Sequence, residues 1–301
     1  MEPIIIEYAS ELYPEKLRDI KKPPSRLYVL GNIEILSEVG IAVVGSRTNT
    51  EYGEKMCKKF VKGLLEYNIN IISGLAFGID SIAHKSCLKN GGKTIAVLPS
   101  GIKNICKATN KMLIEEIIKN DGAVISEYEN NIKADSNKFL ERNRIVAGLG
   151  IGTLVVEAGH RSGTSVTARF SRQNNKPVFC VPSSLENIKG KLTNEFIQKG
   201  AKLVRNAEDI IKEMNKVNPR IEFYKKEIKT KNLYFDIPLE LLNVYKEITD
   251  IPKDLNQIAR KTKLSISEVN YKTMMLQLED KIIELPGQRF VRNNNEYWKG
   301  M

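Results

Sequence analysis

The chain has 301 residues, 42% hydrophobic and 28% charged. That is enough for one large α/β domain with a small second one, and no apolar run approaches the ~18 residues of a membrane helix. Four cysteines without C-x-x-C spacing (Cys57, Cys87, Cys106 and Cys180) and two histidines (His84 and His160) suggest neither a metal site nor a disulfide framework, while a net charge of +11 without an apolar leader points to a cytoplasmic protein with a polyanionic partner.

Residues 1–40 read as a lead-in. From Ile41 a unit repeats: a short apolar run, a Gly- or Ser-containing turn, then a helical pattern. The runs are Ile41–Val44, Ile69–Ile72, Thr94–Leu98, Ala123–Ile125, Thr153–Val156 and Val178–Val181. Buried strands alternating with helices predict an extended Rossmann-like, doubly wound and mostly parallel sheet over residues 41–214. Ligands of such sheets bind outside the carboxyl ends of the strands, so the turns that follow the strands are where function is to be sought.

Three of those turns suit an anion. The first is Gly45-Ser46-Arg47 before a helix from about Glu51: glycine permits close approach, the helix start offers free N–H groups, and Arg47 adds a bidentate fork. Its spacing is not the dinucleotide fingerprint G-x-G-x-x-G. The second, Ser73-Gly74 to Gly78, suits a backbone nest and leads into a helix with Asp80 and His84 at i, i+4. With no nucleophile beside them, these two read as a helix-start carboxylate and a hydrogen-bonded histidine. The third, Ser162-Gly163-Thr164, opens the helix through Thr167 and by itself is an ordinary cap.

The stretch Lys138-Phe139-Leu140-Glu141-Arg142-Asn143-Arg144 sets an aromatic among three cations and an asparagine. The cations suit phosphates, Asn143 a base or sugar edge, and Phe139 a stacking face. The residues alone equally allow Phe139 as a core anchor.

A basic linker, residues 215–234, follows, and residues 235–301 carry a winged-helix pattern. Pro238–Ile248 and Asp254–Lys261 are predicted helices, Ser265 and Glu268 form a capping box for a third helix to about Glu279, and a hairpin runs from Lys281 to Arg292. Residues 1–214 hold 31 basic against 24 acidic side chains, 215–231 hold 6 against 2, and 232–301 hold 10 against 10. The third helix carries Glu268, Glu279 and Asp280 against Lys272 alone, which suits a protein contact better than a DNA groove.

In order along the chain, IAVVGSRTNTEYG (41–53), ISGLAFGIDSIAH (72–84), GGKTIAVLPSGI (91–102), FLERNRIVAGL (139–149), VVEAGHRSGTSVTA (155–168) and TNEFIQKGAKLV (193–204) closely resemble the DNA-processing protein A (DprA, or Smf) family. The resemblance implies a homodimer that binds single-stranded DNA, protects it and helps load the RecA recombinase, without catalysis, cofactor or metal. It places Arg47, Lys138, Phe139, Arg142 and Arg144 in the DNA pocket. With the turns, the candidate DNA-binding set is Gly45, Ser46, Arg47, Tyr52, Gly53, Ser73, Gly74, Gly78, Lys138, Phe139, Arg142, Asn143, Arg144, Ser162, Gly163 and Thr164. The family's Tyr-Pro after the third strand is replaced here by Cys106-Lys107, and its Pro-Gly after the sixth by Pro182-Ser183. A competing reading is a nucleotide phosphoribohydrolase of the related lysine-decarboxylase-like group, whose P-G-G-x-G-T has no full counterpart in SGTSVTA.

Overall fold

The computed structural model describes residues 2–104, 108–159, 162–219, 221–225, 237–249 and 251–293. The Cys106-Lys107 loop, His160 and Arg161 lie outside them, as do residue 220 and the second half of the expected linker, from residue 226 on. The chain divides into two compact units, residues 1–226 and 227–301.

In the first unit the elements are β1 (Ile4–Glu7), α1 (Glu15–Arg18), β2 (Arg26–Gly31), β3 (Gly40–Val44), α2 (Glu51–Leu65), β4 (Asn70–Ser73), α3 (Ile79–Lys89), β5 (Thr94–Val97), α4 (Ala108–Lys119), β6 (Ala123–Ser126), α5 (Ser136–Leu149), β7 (Thr153–Val155), α6 (Thr164–Gln173), β8 (Val178–Cys180), α7 (Lys191–Gln198), β9 (Lys202–Leu203) and α8 (Ala207–Val217). The strands form one nine-stranded sheet, ordered β1-β2-β6-β5-β4-β3-β7-β8-β9. The six apolar runs of the sequence are the strands β3 to β8, all parallel, and the two-residue β9, not among those runs, joins β8 in parallel as a seventh.

Each of those strands is short and buried along its whole length, as a sheet covered on both faces requires. On β3 the side chains alternate between two cores. Ala42 and Val44 face α5 and α6 through Ile145, Val146 and Ala168. Ile41 and Val43 face α2, α3 and α8 through Phe60, Leu64, Ile79 and Ile210. From β3 the chain winds one way through β4, β5 and β6, then returns to lay β7 on the other side of β3. The carboxyl ends of β3 and β7 therefore flank a topological switch point, the place where doubly wound sheets open a crevice.

The first forty residues do more than lead in. β1 and β2 add two antiparallel strands beside β6. Their signal in the sequence is weak because β1 is an edge strand that buries only Ile6 while Ile4 and Ile5 face solvent. At the far end, α8 continues to Val217. Beyond it Phe223 packs on the core and Lys225 pairs with Glu66 at 3.0 Å, so this part of the expected linker is bound to the large unit.

The second unit contains α9 (Leu239–Glu247), β10 (Lys253–Asp254), α10 (Leu255–Thr262), α11 (Ile266–Leu278), β11 (Ile282–Leu285) and β12 (Arg289–Arg292). The strands form a small antiparallel sheet ordered β10-β12-β11. Leu241, Val244, Ile258, Val269, Leu276 and Phe290 fill its core. Capping boxes at Asp254/Gln257 and Ser265/Glu268 fix where α10 and α11 begin. Strand β10, two residues long, was not anticipated. Among the described residues of either unit, no helix is long and apolar enough to cross a membrane.

Candidate nucleic-acid interface

The turns after β3, β4 and β7 are bonded into one body. The Ile79 N–H donates to the Ser46 carbonyl at 3.1 Å, the Ser46 N–H to the Glu157 carbonyl at 2.7 Å, and the Thr164 hydroxyl to the Gly45 carbonyl at 3.0 Å. Gly78 makes the first of these contacts possible. Its φ is +78°, and a Cβ there would lie 2.2 Å from the Ser46 carbonyl oxygen. Between these turns and the start of α5 a cleft of about 660 Å³ opens at the switch point, lined by Gly45, Arg47, Gly74, Ala76, Asp80, Phe139, Leu140, Arg142, Asn143, Ser162, Gly163 and Thr164, among others.

Helix α5 supplies one wall. Asp135 caps it by accepting the Lys138 N–H at 2.9 Å. Phe139, Arg142 and Asn143 follow at i, i+3 and i+4 and share the cleft face. The Phe139 ring is half-buried, and the Arg47 guanidinium lies 4.8 Å from its centroid. Arg47 itself is exposed and has no carboxylate partner among the described residues. This cation and this ring are presented together at the cleft.

The other cations of the stretch already have partners within the protein. Arg142 is 2% exposed. Its Nη1 donates to the carbonyls of Gly74, at 2.5 Å, and Val97, so it is a strut between β4, β5 and α5. Burial pushes its pKa down to about 10, against the pull of Asp80. Arg144 lies roughly 140° around the helix from Phe139. It makes a two-pronged pair with Glu127, at 3.0 and 2.5 Å, and does not line the cleft. Lys138 pairs with Asp135 beside the Tyr128 ring, also off the cleft.

Several turn residues likewise have internal work. Ser73 donates its hydroxyl to the Val43 carbonyl at 2.6 Å, and Tyr52 donates to the Pro182 carbonyl at 2.8 Å. Gly53 packs against Glu157, where a Cβ would lie 2.6 Å from the carboxylate. Ser46, Tyr52, Gly53, Ser73 and Gly78 therefore shape the site without lining it.

The start of α2 holds the largest correction. Its expected anion pocket is occupied by the protein: the buried Glu157 carboxylate accepts the Thr50 N–H at 2.8 Å and the Thr50 hydroxyl at 2.6 Å. In the sequence Glu157 was only the residue after a strand, and nothing local marked its destination 107 positions back.

Asp80, on the first turn of α3, is buried against the cleft. Burial raises its pKa, while Arg142 and backbone N–H groups of the turn pull it down. Gly74 has room for no side chain here, since a Cβ would lie 2.6 Å from Arg142 Nη2 and 2.7 Å from Asp80 Oδ2. His84 is fully buried. Its Nδ1 lies 2.7 Å from the Thr94 hydroxyl, which itself donates to the Ile71 carbonyl, so the ring carries its proton on Nδ1. Burial and the nearby Arg142 charge hold its pKa down to about 3. His84 therefore braces α3 against β5 and does not line the cleft. Among the described residues no three His, Cys, Asp or Glu side chains cluster as metal ligands.

Compared with known proteins, residues 4–215 match the family model for DNA recombination-mediator protein A. The chain belongs to this DprA family. The match spans every residue of the cleft and ends within α8, so the second unit lies outside it. Protein Smf of Escherichia coli K12 is 34% identical over 289 residues, which cover 94% of this chain and 76% of that protein. Among solved structures of the family, DNA processing protein A from Streptococcus pneumoniae superposes with a TM-score of 0.67 at 36% identity over 74% of this chain and 75% of its own. A second, from Helicobacter pylori, was described for its single-stranded DNA binding mode. It superposes with a TM-score of 0.63 at 29% identity, over 72% of this chain and 99% of its own.

Proposed function

We propose that the cleft at the switch point binds single-stranded DNA, with Arg47 on a phosphate and Phe139 against a base. The observation that carries this reading is an exposed arginine, without a carboxylate partner among the described residues, set against a half-buried aromatic ring at the mouth of a cleft. Cation and ring together match a strand whose bases are free to turn, and a duplex keeps its bases stacked away from such a face. The reported single-strand binding of the Helicobacter pylori relative supports the same ligand.

On this reading the chain is a cytoplasmic binding protein and not an enzyme. It works as a homodimer that protects single strands and passes them to a RecA recombinase during transformation or recombination. The dimer and the recombinase rest on family membership alone. The test is fluorescence anisotropy with matched single- and double-stranded oligonucleotides over a salt series. Much tighter binding of the single strand, weakening steeply with salt, is expected. Equal affinity for both forms would defeat the proposal, and release of free base from nucleoside monophosphates would replace it with the phosphoribohydrolase reading.

A further inference from the structure

Glu157 grips the segment that carries Arg47 at both ends. Its carbonyl takes the Ser46 N–H, and its carboxylate takes the N–H and hydroxyl of Thr50. The Thr50 oxygen in turn accepts the Gly53 N–H at 3.1 Å, which caps α2. From the loop after β8, Asn187 donates to the same carboxylate at 3.0 Å and to the Ser183 hydroxyl at 2.9 Å.

The Glu157 carboxylate is 1% exposed, and among the described residues it has no lysine or arginine partner. A buried charge of this kind is strongly unfavourable unless hydrogen bonds and local dipoles compensate it. Here three donors and the positive end of α2 do so. That helix start is also where sheets of this architecture seat the phosphate of a bound nucleotide.

We infer that Glu157 is a built-in substitute for that phosphate. It is a positioning residue that holds segment 46–50 so that Arg47 meets the DNA, and it closes the α2 start to nucleoside phosphates, leaving the cleft to a polynucleotide. The first half rests on the single-strand reading. The second half stands on the helix start alone.

Glu157→Gln nearly preserves volume and removes the charge. In the full chain it is expected to weaken single-strand binding by the same factor as Arg47→Ala and to lower the salt slope by about one contact. The double variant is expected to bind no more weakly than Arg47→Ala. Additive losses, or unchanged binding by Glu157→Gln, would overturn the positioning role. Inorganic pyrophosphate gives the independent readout through Glu157→Ala, which empties the space as well: at constant ionic strength it should raise the melting temperature of Glu157→Ala and leave the wild type unmoved. Equal stabilisation of both proteins would overturn the exclusion role, whatever the DNA result. Should either Glu157 variant not fold, the wild type decides, because pyrophosphate at constant ionic strength must then fail to compete with the oligonucleotide. A wild type that ignores single strands would sink the functional reading and the positioning half together, while the pyrophosphate arm still judges the closed helix start.

Discussion

Arg47 and Phe139 come from a turn and a helix far apart in the chain, yet the guanidinium sits 4.8 Å from the ring centroid. Their roles separate experimentally. Arg47→Ala is expected to lower affinity for all sequences and to reduce the salt slope by about one. Phe139→Ala removes a stacking face, costing about 1–3 kcal/mol per base while leaving the slope nearly unchanged. If Phe139→Ala only lowers the melting temperature, the ring belongs to the core. Arg144 shows the limit of reading a motif. In sequence Arg142 and Arg144 are equivalent cations, and only the fold brings Glu127 to one and the Gly74 and Val97 carbonyls to the other. Arg144→Gln should therefore cost stability, on the order of 2 kcal/mol, between the ~1 of exposed pairs and the ~3–5 of buried ones. Denaturant unfolding measures that loss, and single-strand affinity should stay as it was.

At the scale of elements, the parallel strands β3 to β8 were legible because each is a short, mostly apolar run bounded by turn residues. The three turns that line the cleft were legible for the same reason, since the sheet's winding places crevices at the ends of those strands. What stayed hidden was any contact made by one turn to another: the Glu157 carboxylate at α2, the Thr164 hydroxyl on Gly45, and Gly78 against Ser46. The packing of α3 on β5 has a pH consequence. His84 stays neutral when folded down to about pH 3, whereas in the unfolded chain it takes up a proton near its ordinary value of about 6.5. The unfolded state thus binds the extra proton between those values, and stability falls as pH drops through that window. Melting temperatures of the wild type and a His84→Gln variant, followed from pH 7 to pH 4, should fall more steeply for the wild type. Parallel curves would mean that His84 is not buried neutral.

For the whole molecule, charge and architecture divide the labour. Residues 232–301 carry no net charge, and α11 turns Tyr271, Met274 and Leu278 to solvent where a groove-reading helix would carry cations. A chain ending at residue 226, which keeps Phe223 and Lys225 in their places on the large unit, should retain most of the single-strand affinity and its salt dependence. Electrophoretic mobility shifts of the two lengths compare them directly. A folded shorter chain that no longer bound single strands would move the DNA site out of the cleft.

The return of β7 to the side of β3 also bears on how the protein is made. Ala42 pairs with Thr153, 111 positions later, so the two walls of the cleft meet only after a long closure. Such distant pairings are slow and come late in folding. During synthesis the strands β3 to β6 emerge first, and they carry Arg47 but not the partners that complete the crevice, Ser162 to Thr164 on the far side of β7. An unfinished chain therefore has half of the cleft. On the proposed reading, a strand can be captured only once the sheet has been wound both ways, which ties the first useful contact with DNA to completion of the fold.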